Sequence, residues 1–395
     1  KVNIRDMINT TIKHLGRLIP AFALFSLGST SCIQDELPNS ECDIEKIIIH
    51  HPNPETVFYR LSDSIRIVPP SDDEVKFEVR SNADLSLMNI EYVLTEGATR
   101  NNVSEYKADE IKIQTTSEDG KWNRLYTISF IVPQNAFSRE KQIIEYNFED
   151  HRLDGKYNIW LNDGDANYWA SGNPGFKLSK SSAAPNEYPT IVEENGYSGH
   201  AVSLITRSTG TFGEMAGMPI AAGNLFAGSF DVSVALKDAM AATLFGKPFQ
   251  LKPMRLKLMA KYQPGEKYKR LVNKKLVEVP GMVDYPDVYA VLYKNTDAQG
   301  KTVTLRGDDG KTNPNIVARA FLSESQAKSI SADKWTEINI PFEVLEEIVE
   351  DRLESRGYNF AIVFTSSFAG GEFSGAVGST LTIDEVRLIC NEDEE

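Results

Sequence analysis

Apolar and polar residues alternate along most of this chain. Residues 254–262 put Met254, Leu256, Leu258, Ala260 and Tyr262 on one face and Arg255, Lys257 and Lys261 on the other. That is the period of two of a half-buried strand. The same alternation marks 111–115 and 126–130, and Ser117, Glu118, Asp119 and Gly120 between them supply a turn, with glycine where a positive φ is tolerated. A first series of strands is predicted at 56–60, 64–68, 75–80, 90–94, 111–115 and 125–132, separated by Pro, Asp, Asn and Gly clusters. After a break at 133–141 a second series follows at 143–148, 200–206, 254–262, 289–293, 316–322, 335–340, 360–365 and 381–389. Only 342–353 reads as a helix, with Leu345, Ile348, Val349 and Leu353 at spacings of three and four. The pattern predicts an all-β protein: a small β-sandwich over 45–134 and a larger jelly-roll β-sandwich over 138–392. A mature chain of this length exceeds what one core usually supports, so two domains are expected.

The first residues follow a different rule. Lys1, Arg5, Lys13 and Arg17 lead into an apolar run at 18–27, then the small residues Gly28, Ser29, Thr30 and Ser31 precede Cys32. This is the layout of a secretory signal, and the run is too short for a span that needs about 20 apolar residues. Residues 1–31 are therefore expected to be a lipoprotein signal peptide, Cys32 the lipidated residue, and 32–44 a polar tether. The expected location is a membrane, through that lipid anchor.

Charge narrows the partners. With 42 basic against 56 acidic residues the formal charge is −14, which repels phosphate backbones and argues against a nucleic-acid partner. Cys32 is assigned to the anchor, leaving Cys42 and Cys390 in a compartment where disulfides form; whether they pair is open.

Two resemblances add to this. Gly97, Ala98 and Thr99, then 116–122 ending in Trp122, then 126–130, resemble the short immunoglobulin-like modules at the front of Bacteroidetes outer-membrane lipoproteins, which implies a spacer. In that group acidic residues soon after the cysteine mark surface export, and Asp35 and Glu36 stand there. The second domain resembles the putative carbohydrate metabolism domain (PCMD) family through Phe148 and Glu149, through 168–175 beginning Tyr168 and Trp169, through 245–249, through Lys252 and Pro253 leading to 261–265, and through 378–386. The resemblance implies a jelly roll similar to carbohydrate-binding modules, found beside glycan-uptake systems whose proteins would be its neighbours, with no agreed catalytic residues.

Candidate chemistry is sparse. Glycoside hydrolysis needs two facing carboxylates, and no local motif singles out a pair among the acids, so no catalytic residue is named. His50, His51, His151 and His200 sit by no nucleophile elbow and no helical metal-ligand pair. For a structural calcium, Asp163, Asp165 and Asn167 alternate as calcium-loop ligands do, but Tyr168 and Pro174 stand where an EF-hand needs Gly and Glu. A second option joins Glu149 on the first strand to Asp384 on the last, because jelly-roll carbohydrate modules hold calcium where those strands meet. For sugar stacking, Trp160, Tyr168, Trp169, Phe176, Tyr188 and Tyr197 cluster with Asn162, Asp163, Asn173 and Asn186. Of these, Trp160, Tyr168, Trp169, Asn173, Tyr188 and Tyr197 are the glycan-binding candidates, whereas Trp335 is expected in the core. The function expected is binding of a polysaccharide or glycan as an accessory to uptake, without catalysis. A structural or adhesive surface component and a glycoside hydrolase with an unrecognised carboxylate pair are the alternatives.

Overall fold

A computed structural model describes residues 38–102 and 110–391; the signal, Cys32 and most of the tether lie outside them. The chain divides into two compact units. The first takes the described residues up to Ile48, Arg66–Val75 and Ile90–Ser129. Its clearest element is the antiparallel pair Glu110–Thr116 and Asn123–Ile131, with Thr99–Asn102 alongside. The alternation read from sequence holds there, since Ile111, Ile113 and Thr115 are buried, as are Tyr126 and Ile128 on the facing strand. The Tyr126 hydroxyl accepts the Ile44 N–H and donates to Asp43, so the one polar tip in this apolar row is satisfied.

The second unit, Ile49–Ile65, Lys76–Asn89 and residues from Phe130 onward, is built on two large antiparallel sheets. One has six strands in the order Thr190–Glu193, Ala201–Ile205, Thr380–Cys390, Pro253–Gln263 and Thr336–Pro341, with Gln142–Tyr146 also on Thr380–Cys390. The other has nine, running Leu305–Arg306, Thr243–Phe245, Asn224–Phe230, Tyr358–Thr365, Asp287–Lys294, Ile316–Phe321 and Glu343–Val344, with Trp169–Ala170 and Lys247–Phe249 pairing from outside that path. The molecule is an all-β sandwich fold. Leu256, Leu258, Ala260 and Tyr262 line the core from the six-stranded sheet as their period predicts, and Val288, Ala290, Leu292, Phe360, Ile362 and Phe364 meet them from the other.

The strands at the centre of the nine-stranded sheet are buried on both faces. Tyr289, Val291 and Tyr293 alternate with the core residues of their strand and form a second apolar cluster with Phe226, Phe245 and Val363. A strand covered on both sides reads as a continuous apolar run, and 288–293 is one.

Two expected elements differ. The helix predicted over 342–353 is confined to Glu350–Glu354, because Glu343–Val344 pairs as an edge strand with Ala318 and Arg319. Leu345 and Val349 are exposed, whereas Leu353 reaches the core and Ile348 packs against it, so only the end of the predicted stripe is buried. The strand predicted at 56–60 does not form: Pro54–Thr56 is a 3-10 turn, where proline occupies the first turn and removes a ladder donor, and 57–60 are irregular. Cys42 and Cys390 are both buried free thiols, and burial pushes the Cys390 thiol far above its ordinary range.

Candidate functional site

Strand register assembles a site on the outer face of the nine-stranded sheet. Asp287 pairs with Thr365 and Thr365 with Asn224, while Tyr289 pairs with Val363 and Val363 with Phe226. Two parallel rows result, one polar and one aromatic-apolar, crossing three strands. They floor a cleft of about 570 Å³. Its walls are the short helices Asn173–Ser179, Gly210–Met215, Val232–Ala235 and Ala239–Ala242, and the loops 307–312 and 368–373.

One ion pair stands on this floor. The Lys311 ammonium lies 2.7 and 2.6 Å from the two Asp287 oxygens and 4.7 Å from the centre of the Tyr289 ring. Burial raises the Asp287 carboxyl above the usual carboxylate range, with the Lys311 charge opposing that rise. The loop carrying Lys311 comes this close because Gly310 has no side chain: a β-carbon there would sit 2.8 Å from the Tyr289 hydroxyl and 2.9 Å from the Phe245 ring. Asp308 and Glu372 also line the cleft.

Of the aromatic stretch singled out in the sequence, Phe176 lines the cleft, and most of the rest is core. Trp160 is 1% and Trp169 5% exposed, and Tyr188 and Asn173 are fully buried. Trp169 pairs in register with Ala227 at the sheet edge, which turns its indole inward against Tyr146, Phe148 and Phe364 at 5.2, 5.5 and 6.3 Å. Tyr168 packs on it, and its hydroxyl shares a hydrogen bond of 2.8 Å with that of Tyr146. Asn173 bonds the backbone of Thr190 through both ends of its amide, donating to the carbonyl at 2.7 Å and accepting the N–H at 3.1 Å. None of these four buried groups presents a face to a sugar. Tyr197 is 54% exposed and meets the half-buried Trp335 edge-on at 5.9 Å; neither lines the cleft, and Trp335, expected in the core, instead carries the Lys261 ammonium at 4.8 Å.

The candidate metal ligands are likewise engaged. Glu149 accepts the His200 N–H at 3.0 Å and contacts its ring Nδ1 at 2.9 Å. Asp384 accepts the N–H groups of Tyr197, Ser198 and Glu385 at 2.7, 3.0 and 2.7 Å. Both carboxylates thus hold the 197–200 loop through hydrogen-bond donors. Asp165 caps the Asn167 N–H within a tight turn, and Asp163 accepts from Gln134. Among the described residues no group of three or more His, Cys, Asp and Glu side chains is placed to hold a metal ion.

The cleft residues were missed because Phe226, Tyr289, Lys311 and Val363 are far apart in sequence and only register joins them. The available signal was the two-sided apolar run at 288–293, opened by Asp287.

Residues 147–389 match the family model described as "Putative carbohydrate metabolism domain". The chain belongs to this family. As a PCMD protein it has a carbohydrate-related function. It is similar to a solved structure titled a putative glycoside hydrolase from Bacteroides thetaiotaomicron VPI-5482, with 36% identity and a TM-score of 0.62 over 91% of this chain and 100% of that one. A second, titled a putative glycoside hydrolase from Bacteroides vulgatus ATCC 8482, is 34% identical with a TM-score of 0.55 over 62% of this chain and 97% of that one. Among curated proteins none matches the chain.

Proposed function

We propose that this PCMD protein binds a glycan in the cleft on the outer face of its nine-stranded sheet, as a lipoprotein anchored at the cell surface through Cys32. The observation that carries the reading is the floor itself. The Asp287–Lys311 pair on it offers a pyranose a donor and an acceptor for its hydroxyls, and the apolar lining around the pair offers the sugar's C–H face a surface. The net charge of −14 suits a neutral glycan over a polyanionic one.

A glycan array probed with the full chain tests this. A retained neutral glycan, lost on Lys311→Ala while the fold melts as before, supports it. No retention in a broad screen contradicts it. Replacing Cys32 with Ala tests the anchor, which predicts release from membranes or blocked maturation; a variant still extracted only by detergent contradicts it.

A second reading, hydrolysis, is favoured by one feature: a carboxyl raised by burial, at Asp287, shares the cleft with Asp308 and Glu372. A raised carboxyl suits a general acid. Release of reducing ends from the retained glycan, abolished by Asp287→Asn with binding intact, distinguishes it from binding alone.

A further inference from the structure

The cleft's polar groups are few and mostly spent. The Asn224 amide accepts the Gly172 N–H and donates to the Ala222 carbonyl. The hydroxyls of Thr209, Thr243 and Ser179 donate to the carbonyls of Met218, Ala239 and Phe176. The Ser367 hydroxyl donates to the buried Asp284. Each lining group bound in this way has little left to offer a ligand. A plain oligosaccharide carries hydroxyls on every ring, and each one placed against a spent or apolar surface loses its water without a replacement bond, which weakens binding.

What remains for a polar ligand is chiefly the Asp287–Lys311 pair, with Asp308 close in sequence to Lys311 and Glu372 on the loop 368–373. Much of the rest of the lining is apolar, with Phe176, Met218, Ile220, Phe226, Phe230 and Met240 among it. Apolar side chains also stand at the solvent side: Leu178, Phe212 and Leu236 line the cleft and are 41%, 46% and 50% exposed. Exposed apolar residues grouped around a cavity mark a surface that is covered when it works.

We infer that the ligand of this cleft is an amphiphilic glycoside, one sugar-sized polar head carrying an alkyl or aryl group, rather than an unsubstituted polysaccharide. The head meets Asp287 and Lys311, and the apolar group lies along the walls that carry Leu178, Phe212 and Leu236. The inference rests on the cleft being the glycan site and names what kind of glycan it takes.

Titration calorimetry of the full chain against methyl, butyl, hexyl and octyl glycosides of several hexoses, below their micelle concentrations, tests it. Affinity rises with chain length, by up to roughly fourfold per methylene if each is fully buried, and by at least about tenfold from butyl to octyl. Leu236→Asp and Phe212→Asp, both at exposed positions and so expected to keep the melting temperature, remove that gain and leave the methyl glycoside unchanged. Unsubstituted oligosaccharides that bind as tightly as the octyl glycosides overturn the inference and leave the glycan site standing. Octanol binding as tightly as its glycosides overturns the glycan site itself. A flat chain-length series, or one that survives both substitutions, overturns the inference.

Discussion

The stretch from Trp160 to Tyr197 and the outer face of the nine-stranded sheet both concentrate aromatic rings and bury most of them; what differs is what stands beside the rings. In the first, Trp160, Trp169 and Tyr188 are buried in packing, and Tyr168 is held ring to ring against Tyr146. In the second, Phe226 and Tyr289 are 1% and 6% exposed and underlie a cleft whose floor also carries the Asp287–Lys311 pair. Rings adjacent in sequence tend to be consumed by local packing, because a large apolar side chain near a sheet edge gains about 25 cal/mol per Å² by turning inward. Rings delivered by separate strands to one face bring with them the polar neighbours of their own strands, as Asp287 arrives with Tyr289. A functional face is therefore recognised by sidedness more than by density.

Substitutions that break this contrast range from large to small. Trp169→Ala empties a core position, and a loss of about 3–5 kcal/mol is expected in chemical denaturation. An indole serving as a sugar platform would cost binding and leave stability alone. Next is Asp284→Ala. The Asp284 carboxylate accepts from Ser367, Ser379 and the Ala376 N–H at 2.6, 2.8 and 2.8 Å, behind the loop that walls the cleft. Removing it orphans three buried donors, and a loss of about 2–4 kcal/mol is expected together with weaker glycan binding. Unchanged stability would show that this wall is held by other contacts.

The same carboxyl gives a pH signature. Burial raises Asp284 above its ordinary range despite the hydrogen bonds that pull it down. Its protonated form is thus the one favoured by folding: its contribution is full below the unfolded value near 3.9 and is lost as pH rises through the raised folded value. The stability of the wild type minus that of Asp284→Asn should fall from pH 3 towards pH 7, as denaturation at several pH values measures. A difference that grows with pH would mean the carboxylate is stabilised as an anion. Smallest is Leu236→Asp at the cleft mouth, expected to change stability by no more than about 0.5 kcal/mol. A larger loss would make that rim a packing element.

How much of this was legible follows the same division. The alternation at 254–262 placed Leu256, Leu258, Ala260 and Tyr262 correctly in the core, because a half-buried strand writes its sidedness into the sequence. The first and last strands of the large sandwich, Gln142–Tyr146 and Thr380–Cys390, do lie side by side as the candidate metal pair required. Glu149 and Asp384 there bond loop N–H groups instead of assembling a ligand set. The helix over 342–353 was misread because an apolar spacing of three and four says nothing about an edge strand that needs a partner. The cleft was illegible since strands buried on both faces lose their alternation, and Asp287 meets Lys311 only through a loop that Gly310 lets approach.

The most direct measurement is hydrogen–deuterium exchange of the full chain with and without the tightest glycan or glycoside found in the screens. Binding over the outer sheet face predicts slowed exchange in 287–289, 305–312 and 363–373, with 195–199 and 335 unchanged. Protection at 195–199 and 335 with none at 305–312 would contradict it and return the site to the exposed Tyr197 and its neighbour Trp335.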